Sequence, residues 1–561
     1  VSGLQLVLVI VGAIAVTAFA QRKALQPALV ITVVALAASF IPGIPRLELD
    51  TDIILGVVLP PLLYSAALSF SVSSFFRKIG PILVLGVGLV IATALAVGLV
   101  GAWVVPGLTT GAAIVLGAVV APPDAVSAVA IGRELGLRRR VLSVLTGESL
   151  VNDAAALTLF SVAVASVSGE HTFIDSPVPL FLYSSVVGVA AGLALGIAAL
   201  LIRRQLRNPG LETVLGLVVP FAAYMAAEEL EASGVLAVVA AGFLIGTLSV
   251  RFDYRTRLQE RQVWDALDVL LEAFVFAYMG LRLRFVIDDL HDAGTSVWTT
   301  FGAGLLVLAV VVAIRPLWMF FTLGGGLVVE DSPDDPKIVM MQRRLARANQ
   351  VRLARGRRPA RAPEPLTLRE AVVVSWTGMR GVVTLAAAAG IPLTLHDGGP
   401  FPGRPEIQAI AFLVAVGTLL LQGATLPWLI RRLGVQDAGE ADLQREQRRA
   451  VELVARQAAS DVYKAFAADP PEGVDPAFVE RASERFERQR EATSDAAQDS
   501  EMRGAGGAAM ATLVQDVIDA QRRAIVAGMM RDELDDDAAR DELAQIDLQE
   551  AAMASRLRSR L

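Results

Sequence analysis

The first 436 residues are a succession of apolar runs, and that succession decides the solvent in which this chain folds. A bilayer core of ~30 Å is crossed by roughly 20 mostly apolar helical residues. Segmenting on that length and on Gly, Pro and charge punctuation gives thirteen spans, near 2–20, 27–41, 51–69, 81–104, 110–132, 142–168, 179–202, 212–230, 233–250, 263–281, 297–322, 367–391 and 406–430. The whole chain of 561 residues is 54% hydrophobic, with a mean hydropathy of +0.56. A soluble protein usually sits near ~45–50% apolar. The chain therefore reads as an all-α polytopic membrane protein. The run Leu4–Ala20 lacks the basic lead-in of a signal peptide and is taken as the first span.

Loop charge tests the count, because cytoplasmic loops carry the Lys and Arg. Taken alternately, one set of loops holds Arg22, Lys23, Arg77, Lys78, Arg133, Arg138, Arg139, Arg140, Arg203, Arg204, Arg207, Arg251, Arg255, Arg257, Arg261, the run from Lys337 to Arg361, Arg431 and Arg432. The other set holds Arg46, Arg282, Arg284 and Arg404. One missed or invented helix would scramble that asymmetry. It places the N-terminus outside and the C-terminal tail in the cytoplasm, in the plasma (inner) membrane.

Thirteen spans can be written as six, a linker helix at 179–202 and six. Equivalent helices then run in opposite directions, the inverted repeat of many secondary transporters. The fifth span is interrupted by "APPDA" (Ala121–Ala125) and its counterpart, the twelfth, by "WTGMRG" (Trp376–Gly381). In such folds, corresponding interrupted helices mark the ion site. The membrane part is assigned to 1–436. Residues 437–561 carry 17 Lys and Arg against 27 Asp and Glu, leaving 33 against 29 before them. This acidic tail is broken at "ADPPEGVDP" (Ala468–Pro476) and "GAGG" (Gly504–Gly507). Leu513, Val517, Ile518 and Ile525 lie at helical spacing, so their face needs a partner: a small helical cytoplasmic domain of its own, or a second subunit.

The chemistry sits in "TGESLVNDAAALTLF", Thr146 to Phe160. A charge at the centre of a membrane helix costs at least ~2.5–3.5 kcal/mol, so Glu148, Asp153, Asp124 and Arg380 must face protein or water. Residues four apart share a helix face. Ser149 therefore lies one turn before Asp153, and Glu148 one turn before Asn152. A buried Glu wants a cation, and Arg380 in the interrupted twelfth span is one of few; an architectural Glu148–Arg380 pair is expected. Arg315, near the cytoplasmic end of its span, is expected to snorkel in a structural role.

That pairing leaves Asp153 without a fixed cation. Such a carboxylate can hold a proton or exchange it for a small hard cation such as Na⁺, with Ser149 Oγ, backbone carbonyls freed at "APPDA" and water completing an oxygen shell. The alternative is a carboxylate that is merely hydrogen-bonded. Asn152, a neutral amide, can tie the broken helices together. Asp124 is expected to cap the following half-helix, a role compatible with direct or water-mediated ion contact. One titrating carboxylate per site implies one proton for one monovalent cation.

Other features carry less. Glu228, Glu229 and Glu231 read as a solvated face more readily than as an ion funnel. His171, His291 and His396 fall in separate external loops and form no metal site. The Arg-rich loop lacks interleaved aromatics, and attraction to anionic lipid head groups explains it better than nucleic acid. The chain has no cysteine, hence no disulfide or thiol nucleophile. No phosphate-binding glycine loop or nucleophile–base arrangement is found, so neither enzymatic activity nor a cofactor is expected.

At these residues the chain resembles a known family. "APPDAVSAVAIGRELGLRRRVLSVLTGESLVNDAAAL", with "LPPLLYSAAL" upstream and "SWTGMRGVVTLAAA" downstream, is similar to the monovalent cation:proton antiporter-1 family, which includes NhaP-type bacterial sodium/proton antiporters and animal sodium/proton exchangers. The tail string "AQRRAIVAGMMRDELDDDAARDELAQIDLQEA" also resembles the ends of bacterial members. The resemblance implies a homodimer. Helices at about 2–69 and 212–281 would form the dimer domain, and those at about 81–168 and 297–430 a bundle moving like an elevator. It implies that Asp153 binds the cation, that Ser149 is a ligand in some members, and that Glu148 and Arg380 are the paired structural residues. Members with Asn-Asp are typically electroneutral, and Asn152 puts this chain with them. Pro123 departs from the family, many members having threonine there; Pro123 can offer only its backbone carbonyl as a ligand.

The expected function is thus a Na⁺/H⁺ antiporter with both ions competing for Asp153. A K⁺/H⁺ exchanger, an ion channel or a membrane sensor signalling through the tail are the rivals. The lipid bilayer and an unidentified factor acting on the tail are the other expected partners.

Overall fold

In the computed structural model, the described residues are 3–23, 25–41, 54–70, 75, 78–124, 126–169, 177–206, 208–249, 252–323, 328–329, four positions within 343–350, 366–435, 438–470, 505–531 and 533–558. His171 and most of the Arg-rich loop lie outside them. The chain divides into two compact units: Val1–Leu248 with Glu260–Asp437, and Ser249–Gln259 with Ala438–Leu561.

The first unit is helical because lipid offers the backbone no hydrogen-bonding partner and a helix satisfies its own. Its helices are α1 (Gly3–Arg22), α2 (Pro27–Ala38), α3 (Leu59–Ser69), α4 (Ile79–Val104), α5 (Thr110–Val120), α6 (Val126–Glu134), α7 (Arg139–Ser168), α8 (Pro177–Arg203), α9 (Pro209–Glu228) and α10 (Gly234–Leu248). They continue with α11 (Tyr254–Leu281), α12 (Leu283–Asp292), α13 (Val297–Leu323), α14 (Leu368–Trp376), α15 (Val382–Ala389) and α16 (Arg404–Leu433). Seven of the described helices are long and apolar enough to cross a membrane, and four shorter ones are apolar too. Exposed Leu99, Trp103, Val186, Trp298, Phe320 and Phe321 are what a lipid-facing surface requires.

One apolar core gathers α4, α5, α7, α13, α15 and α16 through Val97, Leu116, Val119, Phe160, Val307, Val311, Ala388 and Ile410. A second joins α1, α2, α6, α11, α12 and α16 through Ile31, Ile131, Phe276, Met279, Leu290 and Phe412. Small residues set the closest approaches, as membrane packing favours. A Cβ on Gly117 of α5 would lie 2.0 Å from the Ala94 carbonyl of α4, and one on Gly192 of α8 2.0 Å from that of Ala237 of α10.

In the second unit, α17 (Ala438–Ala468), α18 (Ala505–Met530) and α19 (Asp536–Arg558) pack on one another. Val451, Ala455, Ile518, Ile525, Leu543 and Ile546 form their core. Leu513 and Val517 are covered by α17, through Ala459, Val462, Tyr463 and Phe466. The apolar stripe on α18 is therefore buried within the tail itself. Residues 249–259 group with this unit, whereas the sequence assigns them to the membrane part.

Candidate site at two helix breaks

α5 stops at Val120 and α6 resumes at Val126. Pro122 and Pro123 lack the N–H groups that a continuing helix would use, and each biases the preceding residue away from helical geometry. The second interruption separates α14 from α15 at Thr377–Gly381. The breaks are joined directly, the Asp124 N–H donating to the Met379 carbonyl at 2.6 Å. At Gly381 a Cβ would lie 1.9 Å from Asp124 Oδ2. Glycine is thus what lets the Asp124 carboxylate rest on the second break.

Interrupting a helix leaves carbonyls at its C-terminal end without partners, at the negative end of its dipole. Arg380 answers both half-helices. Its Nε donates to the Val120 carbonyl at 3.0 Å and Nη2 to that of Ala121 at 3.3 Å, while Nη1 donates to the Gly378 carbonyl. Its own backbone N–H donates to Thr418 Oγ1 on α16 at 2.8 Å.

This corrects the expected Glu148–Arg380 pair. Glu148, 1% exposed, is held by Arg315 of α13 in a two-pronged ion pair, Nη1 to Oε1 at 2.5 Å and Nη2 to Oε2 at 2.7 Å. The remaining Arg315 Nε donates to the Val374 carbonyl at 2.8 Å. Arg315 is itself 2% exposed and does not snorkel. The reason is competition: the carbonyl ends at the breaks take the Arg380 guanidinium, so Glu148 is neutralised from another helix.

Asn152 is fully buried and its Nδ2 donates to the Pro123 carbonyl at 2.7 Å, linking α7 to the first break. Because the partner is a carbonyl, the amide must present nitrogen there, which fixes its orientation. The other end, Oδ1, is buried and accepts no hydrogen bond among the described residues. Asp153 is buried, and among the described residues no cation lies within ion-pair distance of it. The charge acting on it is the Asp124 carboxylate. Ser149, half-buried, stands one turn earlier on α7. The Pro123 carbonyl, expected as an ion ligand, already accepts from Asn152 and has one lone pair left.

Other residues fall elsewhere. Glu228, Glu229 and Glu231 are exposed beyond or at the end of α9, as a solvated face. His291 and His396 are exposed and lie on separate segments. Several groups went unremarked in the sequence. Glu370 caps α14 reciprocally with Thr367 and binds Arg140 at 2.7 Å and Arg138 at 3.3 Å, pinning α14 to the start of α7. Ser65 Oγ of α3 donates to Asp268 Oδ2 of α11 at 2.5 Å, while Asp268 Oδ1 is buried and unpartnered among the described residues. One turn further, Glu272 lies within electrostatic reach of both Asp268 and Asp124. The signal was three carboxylates, Asp265, Asp268 and Glu272, at helical spacing inside a candidate span.

Residues 6–432 match the transmembrane sodium/hydrogen exchanger family. The chain belongs to that family. An uncharacterised Na⁺/H⁺ exchanger of Mycobacterium tuberculosis is 30% identical over 99% of this chain and 96% of its own length. The Na⁺/H⁺ antiporter ApNhaP of Aphanothece halophytica is 28% identical over 77% of this chain and 73% of its own. The sodium/proton antiporter MjNhaP1 of Methanocaldococcus jannaschii superposes with a TM-score of 0.56 at 18% identity, over 77% of this chain and 98% of that one. The fold is therefore that of these antiporters. This family member is a multi-pass membrane protein and a secondary cation/proton antiporter rather than an enzyme.

Proposed function

We propose that the exchanger moves one Na⁺ against one H⁺ without net charge, the two ions competing for the Asp153 carboxylate. One observation carries the reading. On a single helix, Glu148 is neutralised by Arg315 while Asp153, beside two helix breaks, has no cation within ion-pair distance among the described residues. A buried carboxylate in that condition must hold either a proton or a metal cation. Na⁺ would take oxygens from Asp153 and Ser149, with Asp124, the remaining lone pair of Pro123 and the unpartnered Asn152 Oδ1 near the same break.

Asp268 and Glu272 extend this acidic path along α11, and the basic loops put the start of α11 at the cytoplasmic face. They would serve as the inner approach. Thirteen spans in an inverted repeat, N-terminus outside and tail inside the plasma membrane, a homodimer and an elevator-like bundle complete the reading. A Bacillus subtilis relative, 29% identical over 70% of this chain, is a sodium, potassium, lithium and rubidium/H⁺ antiporter, so cation choice needs direct measurement. The purified exchanger in proteoliposomes should move protons on addition of Na⁺ at a rate unchanged when the membrane potential is clamped at zero. A rate that follows the potential would overturn one-for-one exchange, and faster exchange with K⁺ than with Na⁺ would overturn the Na⁺ assignment.

A further inference from the structure

α7 and α16 each return one polar side chain to an interruption, and the two contacts are chemically opposite. Asn152 of α7 donates to the Pro123 carbonyl in the first break at 2.7 Å. Thr418 of α16 accepts from the Arg380 N–H in the second at 2.8 Å. Thr418 is fully buried, and its own hydroxyl hydrogen is committed within α16, to the Val414 carbonyl at 2.8 Å and the Ala415 carbonyl at 3.2 Å. A lone pair of the same oxygen is what meets Arg380. In an unbroken helix the Arg380 N–H would bond the carbonyl four residues earlier. The interruption removes that partner, and a buried amide needs another. A wider π turn, Leu419–Gly423, begins directly after Thr418, and such turns recur at functional sites.

The Arg380 N–H and the Met379 carbonyl are the two ends of one peptide group. That group is planar and trans, so its two polar ends point in opposite directions and neither turns without the other. The carbonyl end accepts from the Asp124 N–H at 2.6 Å. A single rigid peptide therefore joins Thr418 on one side to the Asp124 backbone on the other, and in a low-dielectric interior the two hydrogen bonds reinforce each other. The rest of Asp124 is confined as well. Its carboxylate lies where a Cβ on Gly381 would stand, and the carbonyls of Val120 and Ala121 ahead of it are held by the Arg380 guanidinium. Asp124 is in turn the charge acting on Asp153.

We propose that Thr418 is a positioning residue of the ion site: by orienting the Met379–Arg380 peptide it fixes Asp124 relative to Asp153, and so sets how tightly the site holds a monovalent cation. Thr418 acts through two backbone groups rather than as a ligand. The clamp stands on the hydrogen bonds alone; its effect on cation affinity rests on the antiport reading above.

The test uses the full chain, in lipid nanodiscs for hydrogen exchange and in proteoliposomes for transport. Thr418→Val keeps the shape and removes the acceptor, Thr418→Ser keeps the acceptor, and Thr418→Cys offers sulfur, a weaker one. Thr17→Val is the control, at a buried threonine of α1 whose hydroxyl donates to the Ala13 carbonyl of its own helix. In Thr418→Val, hydrogen exchange of the Asp124 and Arg380 amides should accelerate at least about tenfold. The Na⁺ concentration for half-maximal exchange should rise at least about fivefold. Thr418→Ser should stay within about twofold of the wild type on both readouts, and Thr17→Val should move neither. Should Thr418→Val yield no folded protein, Thr418→Cys carries the same test, with a rise of at least about twofold in each. A merely structural threonine would lower the folded yield and leave the Na⁺ half-saturation of the remaining protein unchanged, and that result overturns the positioning role. Unchanged exchange of the Asp124 amide overturns the clamp, as does Thr418→Ser behaving like Thr418→Val. Absence of Na⁺-driven proton movement in the wild type would instead count against the antiport reading, and the Asp124 amide would still decide the clamp.

Discussion

Glu148 and Asp153 stand five residues apart on α7, both almost wholly buried, and their surroundings treat them in opposite ways. Glu148 receives a two-pronged guanidinium whose remaining donor is spent on a backbone carbonyl. Asp153 receives no cation among the described residues, and its charged neighbour is another carboxylate. Burial alone therefore does not mark a transport residue. A saturated carboxylate is a strut, with its charge already balanced. A buried carboxylate without a fixed cation is instead kept neutral by a proton or by a cation from solution. Arg380 explains how the contrast is kept: it is engaged by the carbonyl ends of two interrupted helices, so it does not neutralise Asp153.

The sharpest way to break the contrast is to make Asp153 neutral. Asp153→Asn keeps the shape and removes both the charge and the exchangeable proton. Exchange should fall to the background of protein-free liposomes, while the thermal midpoint holds or rises because a buried unpaired charge is gone. Retention of full exchange would end the assignment of Asp153 as carrier.

The same substitution at Glu148 should act on folding. Glu148→Gln leaves Arg315 buried without a counter-charge, at a cost of about 3–5 kcal/mol, so folded yield on size-exclusion chromatography should collapse. Replacing both partners, as Glu148→Leu with Arg315→Met, should recover more folded protein than Glu148→Gln alone, because no charge is stranded. Normal yield of Glu148→Gln with selective loss of transport would move Glu148 from strut to ion site.

Much of this arrangement was legible in the sequence for local reasons. Two adjacent prolines announce the first break, and the spacing of Ser149, Asn152 and Asp153 places them on α7 without any knowledge of neighbours. The apolar spacing of Leu513, Val517 and Ile518 announced a buried face in the tail. What was not legible is tertiary. Intramembrane cations were few, and the position of Arg315 near the end of its span pointed to Arg380 as the partner of Glu148. Only the orphan carbonyls at the breaks decide which is available, and they exist only once the helices have been brought together. The grouping of 249–259 with the tail has the same character, since Arg257 pairs with Asp547, 290 residues away. Asp268 and Glu272 were visible but lay in a span with no helix break to draw attention to them.

The smallest effect expected is at Glu272, and it tests whether the unbalanced charge around Asp153 is local or extends along α11. Glu272 and Asp124 lie within electrostatic reach of each other. A carboxylate that concentrates cations near a site raises the probability of encounter without changing what happens after capture. Glu272→Gln should therefore raise the Na⁺ concentration for half-maximal exchange by about two- to fivefold, with the maximal rate unchanged. The shift should shrink as ionic strength rises, because screening weakens the missing interaction in the wild type as well. A fall in maximal rate at every salt concentration would show that Glu272 takes part in the transport cycle beyond attraction. The acidic region around Asp153 would then include α11, and the contrast with Glu148 would be one between two helices as well as two carboxylates.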